Sequence, residues 1–202
     1  MVWIWASPRE LYEFRAEFHG FHPEPLGTKG LPYFTEEPLT TETQAVLKTQ
    51  YSLKKFRKRH SPPVLGSFAV VDELWRDIIL SFVPAERVQF VPARITARGE
   101  VCEEFYLMLP FDRVVGIDKY NSEIGSMIEN EHGTHIFILN KIVLHPDCLR
   151  GLHLARDRQA STILYISDDL KTALSATGQS SSFYTVDEYN YGVLSNDRPV
   201  YN

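Results

Sequence analysis

Apolar residues along the chain fall into short blocks whose spacing switches between the two-residue period of a strand and the longer period of a helix. Val2 to Trp5 alternates aliphatic and aromatic residues and predicts an edge strand. Ser7-Pro8-Arg9-Glu10 has the form of a capping box with proline at the first helical position, predicting a helix to about Phe18 with Leu11, Phe14 and Phe18 on one face. Residues 20–38 are rich in Pro and Gly and predict an irregular surface connection. Thr41 with Gln44 starts a second helical pattern, which places Val46, Leu47, Tyr51 and Phe56 inward and runs to Arg59, where Ser61-Pro62-Pro63 stops it. Asp72 caps a third helix, with Leu74, Trp75, Ile78, Ile79 and Phe82 at helical spacing before Pro84.

The second half of the pattern is richer in strands. Residues 87–97 and 101–109 predict a hairpin around Arg98-Gly99-Glu100, because glycine supplies the positive φ of a tight turn. Asp112 to Asp118 predicts a further strand or strand end, and Thr134 to His145 a long, largely buried one. Leu152 to Arg156 and Thr162 to Ile166 predict another hairpin. Ser167 then caps a helix with Asp168 and Asp169 in its first turn and Gly178 beyond its end. Phe183 to Val186 predicts a last strand, and Asp187 to Asn202 an extended arm. Most neighbouring strands are joined by connections too short for parallel crossovers. The pattern therefore predicts an α+β protein with a mainly antiparallel β-sheet and helices packed against it. It divides into an N-terminal helical and loop region, residues 1–60, packed on a body of residues 61–202, the two forming one structural unit.

Composition narrows the function. The chain has 12 Phe, 10 Tyr and 3 Trp, enough to fill a core and to supply interface anchors. A formal charge of -5 and a pI near 5.8 leave no basic footprint for nucleic acid. The cysteines, Cys102 and Cys148, form neither a metal-binding pair nor a disulfide framework and read as buried thiols. The start MVWIWASPRE lacks the positive region of a signal peptide, and no apolar run is long enough to span a bilayer. A cytoplasmic protein without a membrane role is expected.

Candidate chemistry is sparse. His19 with His22 and His132 with His135 are paired, and Glu129 and Glu131 precede the second pair, so a zinc site or a small metal-dependent hydrolase built on the His132/His135 loop is one alternative. The glycines between the histidines argue against a shared helix face, and solvated loop histidines account for both pairs. No nucleophile elbow, Walker loop or dinucleotide fingerprint is present, so no catalytic residue, metal ligand or cofactor is assigned. Glu103-Glu104 would face opposite sides of a strand, and Asp168-Asp169 suit a helix start. The aromatic content leaves a small-ligand-binding sensor module as another alternative. Lys54, Lys55, Arg57, Lys58 and Arg59 suit the end of a helix, or a docking patch.

One stretch is more specific. Val64 to Asp118 strings together a strand-to-helix passage (Phe68 to Phe82), a strand start with Gln89, Phe90 and Pro92, a returning aromatic strand with Phe105 and Tyr106, and an apolar segment ending in Asp118. With HIFILNKIVLHPDCL and STILYISDDLKTAL following, this order resembles the eleventh family of immunity proteins of bacterial polymorphic toxin systems, formerly a domain of unknown function, over about residues 64 to 186. The resemblance implies a protein without catalysis of its own that binds a cognate toxin protein and spares the producing cell. The polar stretch from Asp118 to His132 then has two readings: a solvated loop joining two strands, or an acidic, Tyr-bearing contact surface aimed at a basic toxin site. The second makes Asp118, Tyr120, Glu123, Glu129, Glu131 and His132 the candidate partner-binding residues. The basic segment and this acidic stretch could also pair between two copies in a homodimer.

Overall fold

Alternate residues of the strands enter different cores, and that alternation sets the architecture. The computed structural model describes residues 1–6, 17–18, 38–39, 45–50, 52–61, 69–129, 135–158, 160, 163–179 and 183–192. In chain order its elements are β1 (Val2–Trp5), β2 (Glu17–Phe18), β3 (Ala45–Lys48), α1 (Leu53–Phe56), β4 (Ala69–Asp72), α2 (Glu73–Phe82), β5 (Val88–Ala97), β6 (Glu100–Pro110), β7 (Arg113–Val114), β8 (Glu123–Glu129), β9 (His135–Lys141), β10 (Leu154–Asp157), β11 (Leu164–Ser167), α3 (Asp168–Ser175), β12 (Phe183–Tyr184) and α4 (Val186–Gly192). One five-stranded sheet has the order β12-β1-β11-β10-β7, a second β2-β3-β5-β6-β4, and β8 and β9 form a separate hairpin. Pairing is antiparallel except for β3 with β5 and β7 with β10, so the α+β expectation holds, with two sheets in place of one.

Three apolar clusters sit on the faces of these sheets. On one face of the second sheet, Ala45, Leu47, Val70, Ala93, Ile95 and Leu107 pack with Leu53 and Phe56 of α1. On one face of the first, Ile4, Ala155, Ile163 and Tyr165 pack with Ile117 and Ile142. The remaining faces of both sheets share a third core: Trp5, Leu154 and Ile166 meet Val71 and Met108 around Trp75 and Ile79 of α2 and Leu170 and Leu174 of α3. The Trp75 ring lies 5.5 Å from that of Trp5 and 5.7 Å from that of Phe183, edge-on to the first and stacked on the second. This aromatic cluster joins the two sheets into one body.

Local signals formed as expected. Asp72 accepts the Trp75 N–H at 3.0 Å, and the Ser167 hydroxyl oxygen accepts the Leu170 N–H at 3.2 Å, each capping its helix. Arg98 and Gly99 both take positive φ, 49° and 86°, which the tight turn between β5 and β6 requires. A bulge sets Arg94 against both Glu103 and Glu104; Glu103 pairs with Arg94 at 3.6 Å and Glu104 with Arg57 at 3.0 Å.

Several expectations need correction. The helix expected from Thr41 to Arg59 is instead strand β3 followed by the single turn α1: Ala45 and Leu47 are buried alongside β5, and that pairing outweighs helical propensity. Glu17 and Phe18 belong to β2 and not to a helix, while residues 7–16 lie outside the described residues. Strand β1 is no edge, since it lies between β11 and β12. The described part of residues 1–60 thus supplies strands to both sheets. The strand expected from Thr134 to His145 ends at Lys141, and the polar stretch before it contains strand β8. The expected strand to Val186 is only Phe183–Tyr184, and α4 begins the expected arm. Its start is a capping box: the Thr185 N–H donates to Glu188 at 2.7 Å and the Glu188 N–H to the Thr185 hydroxyl oxygen at 3.2 Å.

Candidate partner-binding surface

The root of the β8–β9 hairpin grows from a buried carboxylate. Asp157, at the end of β10 and fully buried, accepts the Gly116 and Ile117 N–H groups at 2.9 and 3.1 Å on one oxygen and the Ala160 N–H at 2.8 Å on the other. The Tyr165 hydroxyl donates to the first oxygen at 3.0 Å. Several donors on one buried carboxylate compensate the loss of water around its charge. Burial, then the neighbouring Asp157, push the Tyr165 phenol well above its ordinary pKa, so it stays a donor. From this anchor Gly116, Ile117 and Asp118 run alongside Val143, Leu144 and His145, with the Asp118 N–H bonded to Val143 O and the His145 N–H to Gly116 O, both at 2.8 Å.

Asp118 then organises the turn. One carboxylate oxygen accepts the Tyr120 N–H at 3.0 Å and the Asn121 N–H at 3.2 Å; the other accepts the Asn121 side-chain amide at 2.6 Å. The Asn121 amide holds the Asp118 carboxyl below its ordinary pKa, helped by the two backbone N–H groups and by His145 at 3.8 Å, and opposed by partial burial. Ser122 closes the turn: its N–H bonds to Asp118 O at 2.9 Å, and its hydroxyl oxygen accepts the Val143 N–H at 2.9 Å. Tyr120 stands at the tip, 98 % exposed.

Of the residues expected to bind a partner, Asp118, Tyr120 and Glu123 come together on this turn and the start of β8, with Glu123 exposed and 3.5 Å from the Asn140 amide. Glu129 is at the far end of β8, opposite His135 in the ladder. Glu131 and His132 lie outside the described residues, as do His19 and His22. Asp118 proves to be the organiser of the turn, a role signalled by the Asp-x-x-Asn spacing. The sequence carries no sign of the Asp157 anchor, because Asp157-Arg158-Gln159 reads as a turn and nothing local marks a buried carboxylate.

Other polar clusters have structural partners. His60 Nδ1 lies 2.6 Å from Asp72 Oδ2, and the His60 ring stacks on Trp75. Gln179 accepts the His60 N–H at 2.7 Å and donates to Ser61 O at 3.1 Å, fastening this segment to the stretch that follows α3. His153 Nδ1 is 2.8 Å from the Ser167 hydroxyl, which is already the cap of α3. Among the described residues no group of three or more His, Cys, Asp or Glu side chains is placed to hold a metal ion. Both cysteines are free and buried, and burial, then Asp157, push the Cys148 thiol up to about 11. No helix among the described residues is long and apolar enough to cross a membrane.

Set beside known proteins, the sequence matches no family model and no curated protein.

Proposed function

We propose that this protein is an immunity protein: it binds a cognate bacterial toxin in the cytoplasm of the producing cell and neutralises it without catalysis of its own. The observation that carries this reading is Tyr120, almost wholly exposed on a turn tied down by the Asp118 carboxylate and Ser122. Tyrosine is enriched at binding hot spots because it offers a large, stiff, amphipathic contact area. A turn already held by its own hydrogen bonds gives up little further freedom on binding, which favours slow release. Asp118 and Glu123 put negative charge beside the ring, and Glu129, Glu131 and His132 extend the polar segment in sequence. Such charge speeds encounter with a basic site. The order of motifs from Val64 onward, similar to that of the immunity family, supports the same reading.

The test is co-expression with the toxin of the same polymorphic system, with affinity measured by calorimetry. Wild-type protein should rescue growth and bind one to one. Tyr120→Ala should weaken binding by about tenfold or more while leaving the thermal unfolding curve unchanged. Rescue with unaltered affinity for Tyr120→Ala and for Glu123→Lys would move the contact elsewhere on the molecule. Absence of binding by the folded wild-type protein would sink the proposal.

A further inference from the structure

The outer strands of the two large sheets are short: β2, β7 and β12 have two residues each and β4 has four. Short edges present few backbone groups to an incoming strand. The β8–β9 hairpin is built differently. Its strands have seven residues each, and among the described residues no third strand pairs with either. The ribbon is apolar along its middle in sequence, with Ile124, Met127 and Ile128 on β8 and Ile136, Phe137, Ile138 and Leu139 on β9. Proline-free, β-prone segments of this length tend to self-associate where an edge stays open.

Charge restricts what can lie beside it. The ladder sets Glu123 opposite Lys141 and Glu129 opposite His135, so β8 carries an acid at each end and β9 a base. A second copy added in full antiparallel register along β8 would oppose Glu123 to Glu129 twice, and like charges directly across a ladder are destabilising. Pairing β9 with its copy would set Lys141 opposite His135, with no acid across from either in the added ladder. A strand with the β9 pattern meets β8 without conflict.

We propose that the outer edge of β8 is a strand-addition site for an extended segment of a partner protein, apolar in its middle and bearing Lys or Arg at each end. Backbone hydrogen bonds supply the affinity and the terminal ion pairs the register. Strand β8 starts at Glu123, directly after the turn that presents Tyr120, so the edge continues the surface described above. That the partner is a toxin rests on the proposed function; the chemistry of the edge does not.

The probe is a synthetic peptide with the sequence of residues 135–141 and one added lysine at each end, mixed with the full-length protein while amide hydrogen exchange is followed. Exchange of the alternate, outward-directed amides within β8 should slow by about tenfold or more, with β10 and β11 unaffected. A peptide ending in glutamates should give no such protection. This peptide-side swap is the deciding control, because Glu123→Lys or Glu129→Lys in the protein would also disturb the native ladder. Equal protection by both peptides, or none at saturating peptide, overturns the proposal. So does protection in peptide-free protein that rises with concentration alongside dimer in sedimentation, which would make a second copy the occupant. Toxin neutralisation plays no part in this readout, so failure of either proposal leaves the other standing.

Discussion

The ring of Tyr165 fills the space that a side chain on residue 116 would need: a Cβ built on Gly116 would collide with Tyr165 Cε2 and lie 2.8 Å from its hydroxyl oxygen. The ring cannot swing aside freely, since it is buried and its hydroxyl is bonded to Asp157. Gly116→Ala should therefore cost about 1–3 kcal/mol through overpacking, measured by urea unfolding. Tyr165→Phe should cost about 1–3 kcal/mol by removing a donor from a buried carboxylate, and it should not rescue Gly116→Ala because Cε2 remains in place. An unchanged midpoint for Gly116→Ala would show that the hairpin root is not held as described.

Asp72 serves two partners at once, the Trp75 N–H and His60. Asp72→Ala should cost about 1–2 kcal/mol from loss of the cap. The double variant with His60→Ala should depart from additivity by about 0.5 kcal/mol or more, since the two side chains share one contact. Strict additivity in the cycle would separate the cap from the histidine.

The order of the Tyr120 turn should depend on pH in one direction. Asp118 has a lowered pKa in the folded protein, so its contribution is fully present above the unfolded carboxyl value of about 3.9 and is lost as pH falls through the lowered folded value. The Tyr120 and Asn121 amide resonances should therefore hold steady down to about pH 4 and shift below it. In Asp118→Ala they should occupy shifted positions across the whole range. A wild-type transition centred at or above the ordinary carboxyl value would contradict the assigned bonds.

Cys148 should resist thiol reagents in the native state. With its pKa near 11, roughly one thiol in a thousand is ionised at pH 8, and burial blocks the rest. Alkylation by iodoacetamide should be slow in buffer and fast in 6 M urea (about the unfolding range). Rapid native labelling at Cys148, located by mass spectrometry, would show that the segment after β9 opens.

Elements with local signatures were legible in the sequence. The caps Asp72 and Ser167 and the Arg98-Gly99 turn each satisfy backbone groups within three residues, so their meaning does not depend on the rest of the chain. The Thr185–Glu188 box is equally local, but the apolar alternation from Phe183 to Val186 reads as a strand and masks the helix start. The contrast is β3, where Ala45 to Lys48 suits a helix or a strand and the choice falls to β5, which lies 48 residues away at the Ala45–Ala93 pair. In the candidate surface the residue types from Asp118 to Glu123 were visible, but not that an aspartate would hold the turn and lift Tyr120 clear.

By itself the sequence determined the α+β class, the starts of α2 and α3 and the tight turn between β5 and β6, since these follow from hydrophobic period and from bonds between near neighbours. Tertiary structure alone decided that the described strands form two five-stranded sheets, that the first strand lies inside one of them, and that among the described residues the β8–β9 hairpin pairs with neither. Those choices depend on which distant strands bury one another's apolar faces and on where the buried Asp157 finds its donors, and no window of a few residues contains either.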